Sequence, residues 1–357
     1  MHLRRRRHGA TAMAAVGGLA LLLAACSSSG SPSSSSTSTA LSGTLNGSGS
    51  TFQLVYQQAA ISAFKSVQSG MTVNYAGVGS GTGRANLAAG TVNFAGSDSP
   101  IPSTDVPLFK GKTVLYFPVV IGPITLSYNL SGLSKPLQLT PAVISDIFQA
   151  KVTKWNAPEI AAINPGVKLP STAITLAVRS DSSGTTQNFS LFLEDAAGSA
   201  WKLGSASTIS WPSSAHAAMG NSGVAQVIKS TAGAIGYVDY STAKASALTF
   251  ASVKNKAGNY VAPSVAAASA SAAGVTVNPD LTFHAVWGTG ATAYPITYQS
   301  WDLVYAKQPN ANDAKLLKAY LGYLLGDGQK LLTSLNYAPL PSNIDSMAVA
   351  QLSKITG

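Results

Sequence analysis

Apolar positions recur along the chain with two periods. Short runs rich in Val, Ile, Tyr and Phe occupy 72–77 (TVNYAG), 91–96 (TVNFAG), 113–122 (TVLYFPVVIG), 124–130 (ITLSYNL), 173–178 (AITLAV) and 234–240 (AIGYVDY), and these predict strands. Runs with helical spacing begin near Thr51, Gly81, Thr140, Gly184, Gly223, Ser264, Asn312 and Ser342. Their interleaving predicts an α/β chain. The stretch 262–277 (APSVAAASASAAGVTV) reads either as a linker or as a short helix between Pro263 and Gly274.

Two β-like stretches carry interruptions. Gly122-Pro123 breaks the run from 113 to 130, and Pro295 lies inside 293–305 (AYPITYQSWDLVY). Such breaks suit a chain crossing between two domains. Roughly 315 residues remain for folding, more than a single core comfortably holds. If both stretches are crossings, lobe I consists of 43–121 and 293–357, lobe II of 122–292, and a ligand lies between them.

The amino terminus carries processing signals. Arg4 to Arg7 form a basic region, Thr11 to Ala25 an apolar one, and LAAC (Leu23 to Cys26) ends with the only cysteine of the chain. Residues 1–25 read as a signal peptide. A cysteine directly after the cleavage point resembles a bacterial lipobox, with Cys26 as lipid anchor; an ordinary secretory signal with an unrelated cysteine is the alternative. The apolar run falls short of the ~20 residues that span a membrane. Residues 26–42 form a Ser-rich tether.

Removing residues 1–25 removes four arginines and no acids, and the net charge falls from +10 to +6. Arg84 and Arg179 are then the only arginines, beside seventeen lysines spread along the chain. No basic cluster has interleaved aromatics, so no nucleic-acid partner is expected.

Three loops of small residues precede helical runs: 46–64 (NGSGSTFQLVYQQAAISAF), 77–90 (GVGSGTGRANLAAG) and 176–192 (LAVRSDSSGTTQNFSLF). The first N–H groups of a helix lack partners within it and sit at the positive end of its dipole, so such loops suit an anion. Singly, each also reads as a turn with an N-cap. Three together, one with Arg179, favour an anion site. Neither a G-x-x-x-x-G-K-[ST] loop nor a dinucleotide-binding glycine pattern in its required context occurs. A fourth segment, 93–102 (NFAGSDSPIP), places Asp98 in a turn after a strand; locally it reads as a turn-stabilising aspartate.

Taken in order, GSGSTF, NYAGVGSGTG, NFAGSDSP and RSDSSGTT resemble the ligand loops of the phosphate-binding proteins of bacterial ABC-type phosphate importers. The segments 146–170, 233–244, 294–305 and 335–341 are similar to that family as well, and the resemblance covers 43–357. It implies a two-lobed, periplasmic-binding-protein-like α/β fold with two crossing strands and a central ligand cleft closed by a hinge. By resemblance, Thr51 and Phe52 would offer amides, Ser80 a hydroxyl and an amide, and Asp98 an acceptor. Arg179 would give the charged contact, Asp181 would hold its guanidinium, and Ser183, Gly184 and Thr185 would complete the cage. The implied partners are inorganic phosphate and the permease and ATPase subunits of the importer. The expected protein is a monomer on the extracytoplasmic face of the membrane, without cofactor, metal or catalytic residue. One stretch departs from the family: 211–223 (WPSSAHAAMGNSG) stands where a glycine-rich segment is usual, which puts the cleft rim or a transporter-facing surface in doubt.

Asp98 then acquires a chemical meaning. An ionised carboxylate only accepts hydrogen bonds, and so does sulfate. Phosphate near neutral pH still carries a proton to donate. Leaving a buried charged partner unsatisfied costs on the order of 3 kcal/mol, over a hundredfold in affinity. The rival reading is a secreted phosphatase using the same cage. It needs a nucleophile with a base or a metal, and beyond the leader the chain holds two histidines, His216 and His284.

Overall fold

The computed structural model describes residues 41–357. The expected signal peptide, the Cys26 anchor and nearly all of the 26–42 tether lie outside them. The expected α/β class is what forms. In chain order the elements are β1 (Gly43–Gly49), α1 (Leu54–Val67), β2 (Met71–Gly77), α2 (Ser80–Ala89), β3 (Phe94–Ser97), β4 (Val114–Tyr128), β5 (Gln138–Leu139), α3 (Pro141–Phe148), α4 (Pro158–Ala162), β6 (Thr175–Arg179) and α5 (Gly184–Ala197). There follow β7 (His216–Ala218), α6 (Gly220–Ser230), β8 (Ala234–Asp239), α7 (Tyr240–Ala245), β9 (Thr249–Phe250), β10 (Ser252–Lys254), β11 (Tyr260–Val261), α8 (Val265–Ala272), β12 (Thr297–Tyr305), α9 (Ala311–Leu325) and α10 (Ser342–Gln351). The 262–277 stretch thus contains a helix, α8, whose Ser264 N-cap accepts from the Ala267 amide at 3.1 Å.

The large sheet has the order β2-β1-β3-β12-β4-β8-β6-β7. Its two ends, β2-β1-β3 and β8-β6-β7, are parallel, and helices link their strands. Antiparallel β12 and β4 join them. β4 lies in the middle and is buried along nearly its whole length, as its predominantly apolar sequence requires.

The break expected at Gly122-Pro123 does not interrupt the strand; β4 changes partner there. It pairs with β12 through Pro123 and with β8 from Ile124 onwards. A proline removes one ladder donor, and the loss falls at the handover between neighbours. Residues 46–49, expected within a loop, belong to β1. Glycine is needed within this strand: a Cβ on Gly47 would lie 2.2 Å from the Phe94 ring.

Candidate functional site

In open parallel sheets, ligands bind beyond the carboxyl ends of the strands. Both parallel ends of this sheet point their carboxyl ends at one place. Ser50 and Thr51 follow β1, Ser80 follows β2 and Asp98 follows β3. From the other end, Arg179 closes β6, Gly220 follows β7 and Asp239 closes β8.

Arg179 is buried and anchored. Its Nε donates to Asp181 Oδ1 at 2.7 Å, and its Nη2 donates to the other carboxylate oxygen. Asp181 also accepts from the Gly220 amide at 3.0 Å. Burial pushes the Asp181 carboxyl up, but Arg179 outweighs it and holds the group below the ordinary range. Arg179 Nη1 donates to Thr185 Oγ1 at 3.4 Å. Ser183 caps α5 by accepting from the Thr186 amide at 3.1 Å. Its hydroxyl oxygen is therefore already engaged at the helix start.

Ser80 ties the two sides together. Its Oγ accepts from the Gly184 amide at 3.2 Å and from the Asp98 amide at 3.3 Å, and faces Asp98 Oδ2 at 3.4 Å. Asp98 is buried. Its Oδ1 accepts from Ser300 Oγ at 2.5 Å, and its carbonyl accepts from Asn188 Nδ2 at 2.7 Å. Burial pushes its carboxyl up to about 6, which the Ser300 hydroxyl and the Arg179 charge only partly offset. Thr51 Oγ1 accepts from both nitrogens of Asn221. The Phe52 amide, expected at the ligand, donates instead to Ser50 Oγ at 3.0 Å. The Phe52 ring stacks on Tyr298 with centroids 4.1 Å apart and walls the site.

The structure thus brings Thr51, Phe52, Ser80, Asp98, Arg179, Asp181, Ser183, Gly184 and Thr185 into one linked cluster. Arg84 stays outside it, paired with Asp105 at 2.9 Å. His216 and His284 are exposed. Among the described residues no group of His, Cys, Asp and Glu is arranged to hold a metal, and no helix is long and apolar enough to cross a membrane. Two surface cavities, of about 850 and 730 Å³, lie away from the cluster; Asn93 and Lys307 line one, Phe64 and Leu340 the other.

Sequence reasoning missed four residues here. Asn221 lies at a fourth small-residue loop before a helix, AMGNSG, the same signal as the other three, inside the stretch set aside as a rim. Ser300 reaches Asp98 from β12 and carries no local signal. Asp239 and Tyr298 are fully buried, and Asp239 Oδ2 and the Tyr298 hydroxyl have no hydrogen-bond partner among the described residues. Burial pushes the Asp239 carboxyl up to about 6, against the Thr242 bonds that lower it.

The PBP superfamily domain model matches residues 34–328. The chain is 34% identical over 307 residues to phosphate-binding protein PstS of Xylella fastidiosa (strain 9a5c), a match that covers 84% of this chain and 82% of that one. It is 34% identical over 313 residues to phosphate-binding protein PstS 3 of Mycobacterium leprae (strain TN), covering 85% and 84%. Among solved structures, a high-affinity periplasmic phosphate-binding protein, PfluDING, bound with phosphate at pH 8.5, superposes with a TM-score of 0.71 at 22% identity, covering 87% of this chain and 94% of that one. A phosphate-binding protein from Stenotrophomonas maltophilia gives 0.70 at 20% identity, covering 86% and 93%. These likenesses establish the fold: the two-lobed α/β fold of periplasmic binding proteins.

Proposed function

The chain belongs to the PBP superfamily and, within it, to the PstS phosphate-binding proteins, and from that premise we propose that it binds inorganic phosphate outside the cytoplasm and delivers it to an ABC-type permease. One observation carries the reading: a cation fixed by its own carboxylate, Arg179 with Asp181, shares a buried cluster with a second carboxyl, Asp98. The cation and the hydroxyl and amide donors suit an oxyanion. The second carboxyl suits one that still holds a proton.

In this reading Arg179 makes the charged contact, and Thr51, Ser80 and Thr185 donate hydroxyls. The Phe52 and Gly184 amides exchange their present partners, Ser50 and Ser80, for ligand oxygens, and Ser183 both caps α5 and lines the cage. Residues 43–121 with 293–357 form one lobe and 122–292 the other, with crossings at the partner change in β4 and before β12. The relatives are named binding proteins, and this chain acts as a carrier rather than a phosphatase, working as a monomer without cofactor. Cys26, after cleavage behind Ala25, carries the lipid, and residues 26–42 hold the binding domain off the membrane.

Calorimetry tests the assignment. Residues 42–357, stripped of phosphate by unfolding and refolding, are titrated at pH 8 with phosphate and with sulfate. Tight phosphate binding without detectable sulfate heat is expected. Comparable binding of both anions would mean that Asp98 does not face the ligand. Turnover of a chromogenic phosphate ester that depends on Ser183 would overturn the carrier reading.

A further inference from the structure

Asn221, the second residue of α6, touches three parts of the cluster and is itself buried. Its side-chain oxygen accepts from the Asp239 amide at 3.3 Å. That amide can only donate, so it fixes which end of the Asn221 side chain is oxygen. The NH₂ end then faces two threonines: Nδ2 lies 3.0 Å from Thr51 Oγ1 and 3.4 Å from Thr185 Oγ1. It has two hydrogens, one for each.

A hydroxyl oxygen has two lone pairs and one proton. At Thr51 both lone pairs are taken, by Asn221 Nδ2 and by the Asn221 backbone amide at 3.3 Å. At Thr185 they are taken by Asn221 Nδ2 and by Arg179 Nη1. What each hydroxyl has left to offer is its proton. We propose that Asn221 is a specificity-determining positioning residue: without touching the anion, it turns the Thr51 and Thr185 hydroxyls into obligate donors, and so matches them to the unprotonated oxygens of a tetrahedral oxyanion. This deepens the phosphate-binding reading and rests on it. It also gives the 211–223 departure a fixed point, since that stretch ends by placing Gly220 on Asp181 and Asn221 on the threonines.

A double-mutant cycle on the full-length protein in detergent tests the proposal, with inorganic phosphate as the probe at pH 8. Asn221→Ala and Thr51→Val are each expected to weaken binding by roughly tenfold or more, because a hydrogen bond to a charged ligand is lost or misdirected. Together they are expected to cost less than the sum of the two, because one of the two hydroxyls that the amide serves is gone, and Asn221→Ala is expected to cost nothing further once Thr51 and Thr185 are both valine. Thr51→Ser, which keeps the hydroxyl, restores the full sensitivity to Asn221→Ala. If Asn221→Ala fails to fold, Asn221→Ser replaces it in the same cycle. Strictly additive losses in phosphate affinity, or an Asn221→Ala effect that survives undiminished when Thr51 and Thr185 are both valine, overturn the proposal and leave Asn221 a packing residue. Failure of the unmutated protein to bind phosphate would instead strike the functional reading itself.

Discussion

A methyl group on Gly184 would stand 2.6 Å from the Cβ of Asp98 and 2.6 Å from Ser80 Oγ. The first turn of α5 therefore lies against the turn after β3 with room for a hydrogen only. The Asp98 Cβ sits on the backbone and cannot swing aside. Gly184→Ala is expected to weaken phosphate binding by about 1–3 kcal/mol, the usual cost of overpacking. Circular dichroism of the variant should match that of the parent while calorimetry records the loss. Undiminished affinity would mean that these two segments are not in contact in the bound protein.

Asp98→Asn removes the acceptor but keeps the shape. The ratio of phosphate to sulfate affinity should fall by on the order of a hundredfold, since an amide can donate to sulfate where a carboxylate cannot. The unmutated protein offers the same test through pH. Burial pushes Asp98 up to about 6. Below that value the carboxyl is neutral and carries a proton to donate, so sulfate binding should strengthen as pH falls through about 6. A sulfate affinity that is flat from pH 8 to 5 would contradict this role.

Asp181 works through Arg179. Asp181→Asn breaks the bidentate pairing and frees the guanidinium, which should cost roughly tenfold in phosphate affinity through lost preorganisation. Its folded-state value lies below the ordinary one. It therefore contributes stability above the unfolded value near pH 4, and that stability disappears as pH falls through the lower folded value. Acid unfolding of Asp181→Asn should lack this component.

Asp302 lies away from the site, and both its oxygens accept from Gln57 Nε2, at 3.2 and 3.0 Å. Burial pushes it up to about 7, and the Gln57 and Gln53 contacts that lower it do not compensate. A raised carboxyl binds a proton in the folded state that the unfolded chain has released. Stability therefore falls as pH rises from about 4 to about 7, by on the order of 4 kcal/mol at most. Asp302→Asn should melt higher than the parent at pH 8 and lose this slope. An equal or steeper slope in a thermal melt series would refute the assignment.

The α/β alternation, the position of most helices to within a few residues, and the donor-rich character of three loops are legible in the sequence alone. These are local properties. A helix start exposes its first amides whatever lies nearby, and small residues ahead of an apolar-periodic run announce it. The same signal stood at Asn221 and could have been read there. Tertiary structure decided the rest. β1 looks like a loop because its glycines are required by neighbours remote in sequence: the Leu316 side chain at Gly43, the Phe94 ring at Gly47 and the Gly96 backbone at Gly49. β4 runs through Gly122-Pro123 because two different strands share it, and neither partner is visible locally. Ser300 reaches Asp98 across 202 positions of chain. The direction in which the Thr51 hydroxyl offers its proton depends on the Asn221 donors that fill its lone pairs from 170 positions away, so it becomes fixed only when the two parallel ends of the sheet face each other.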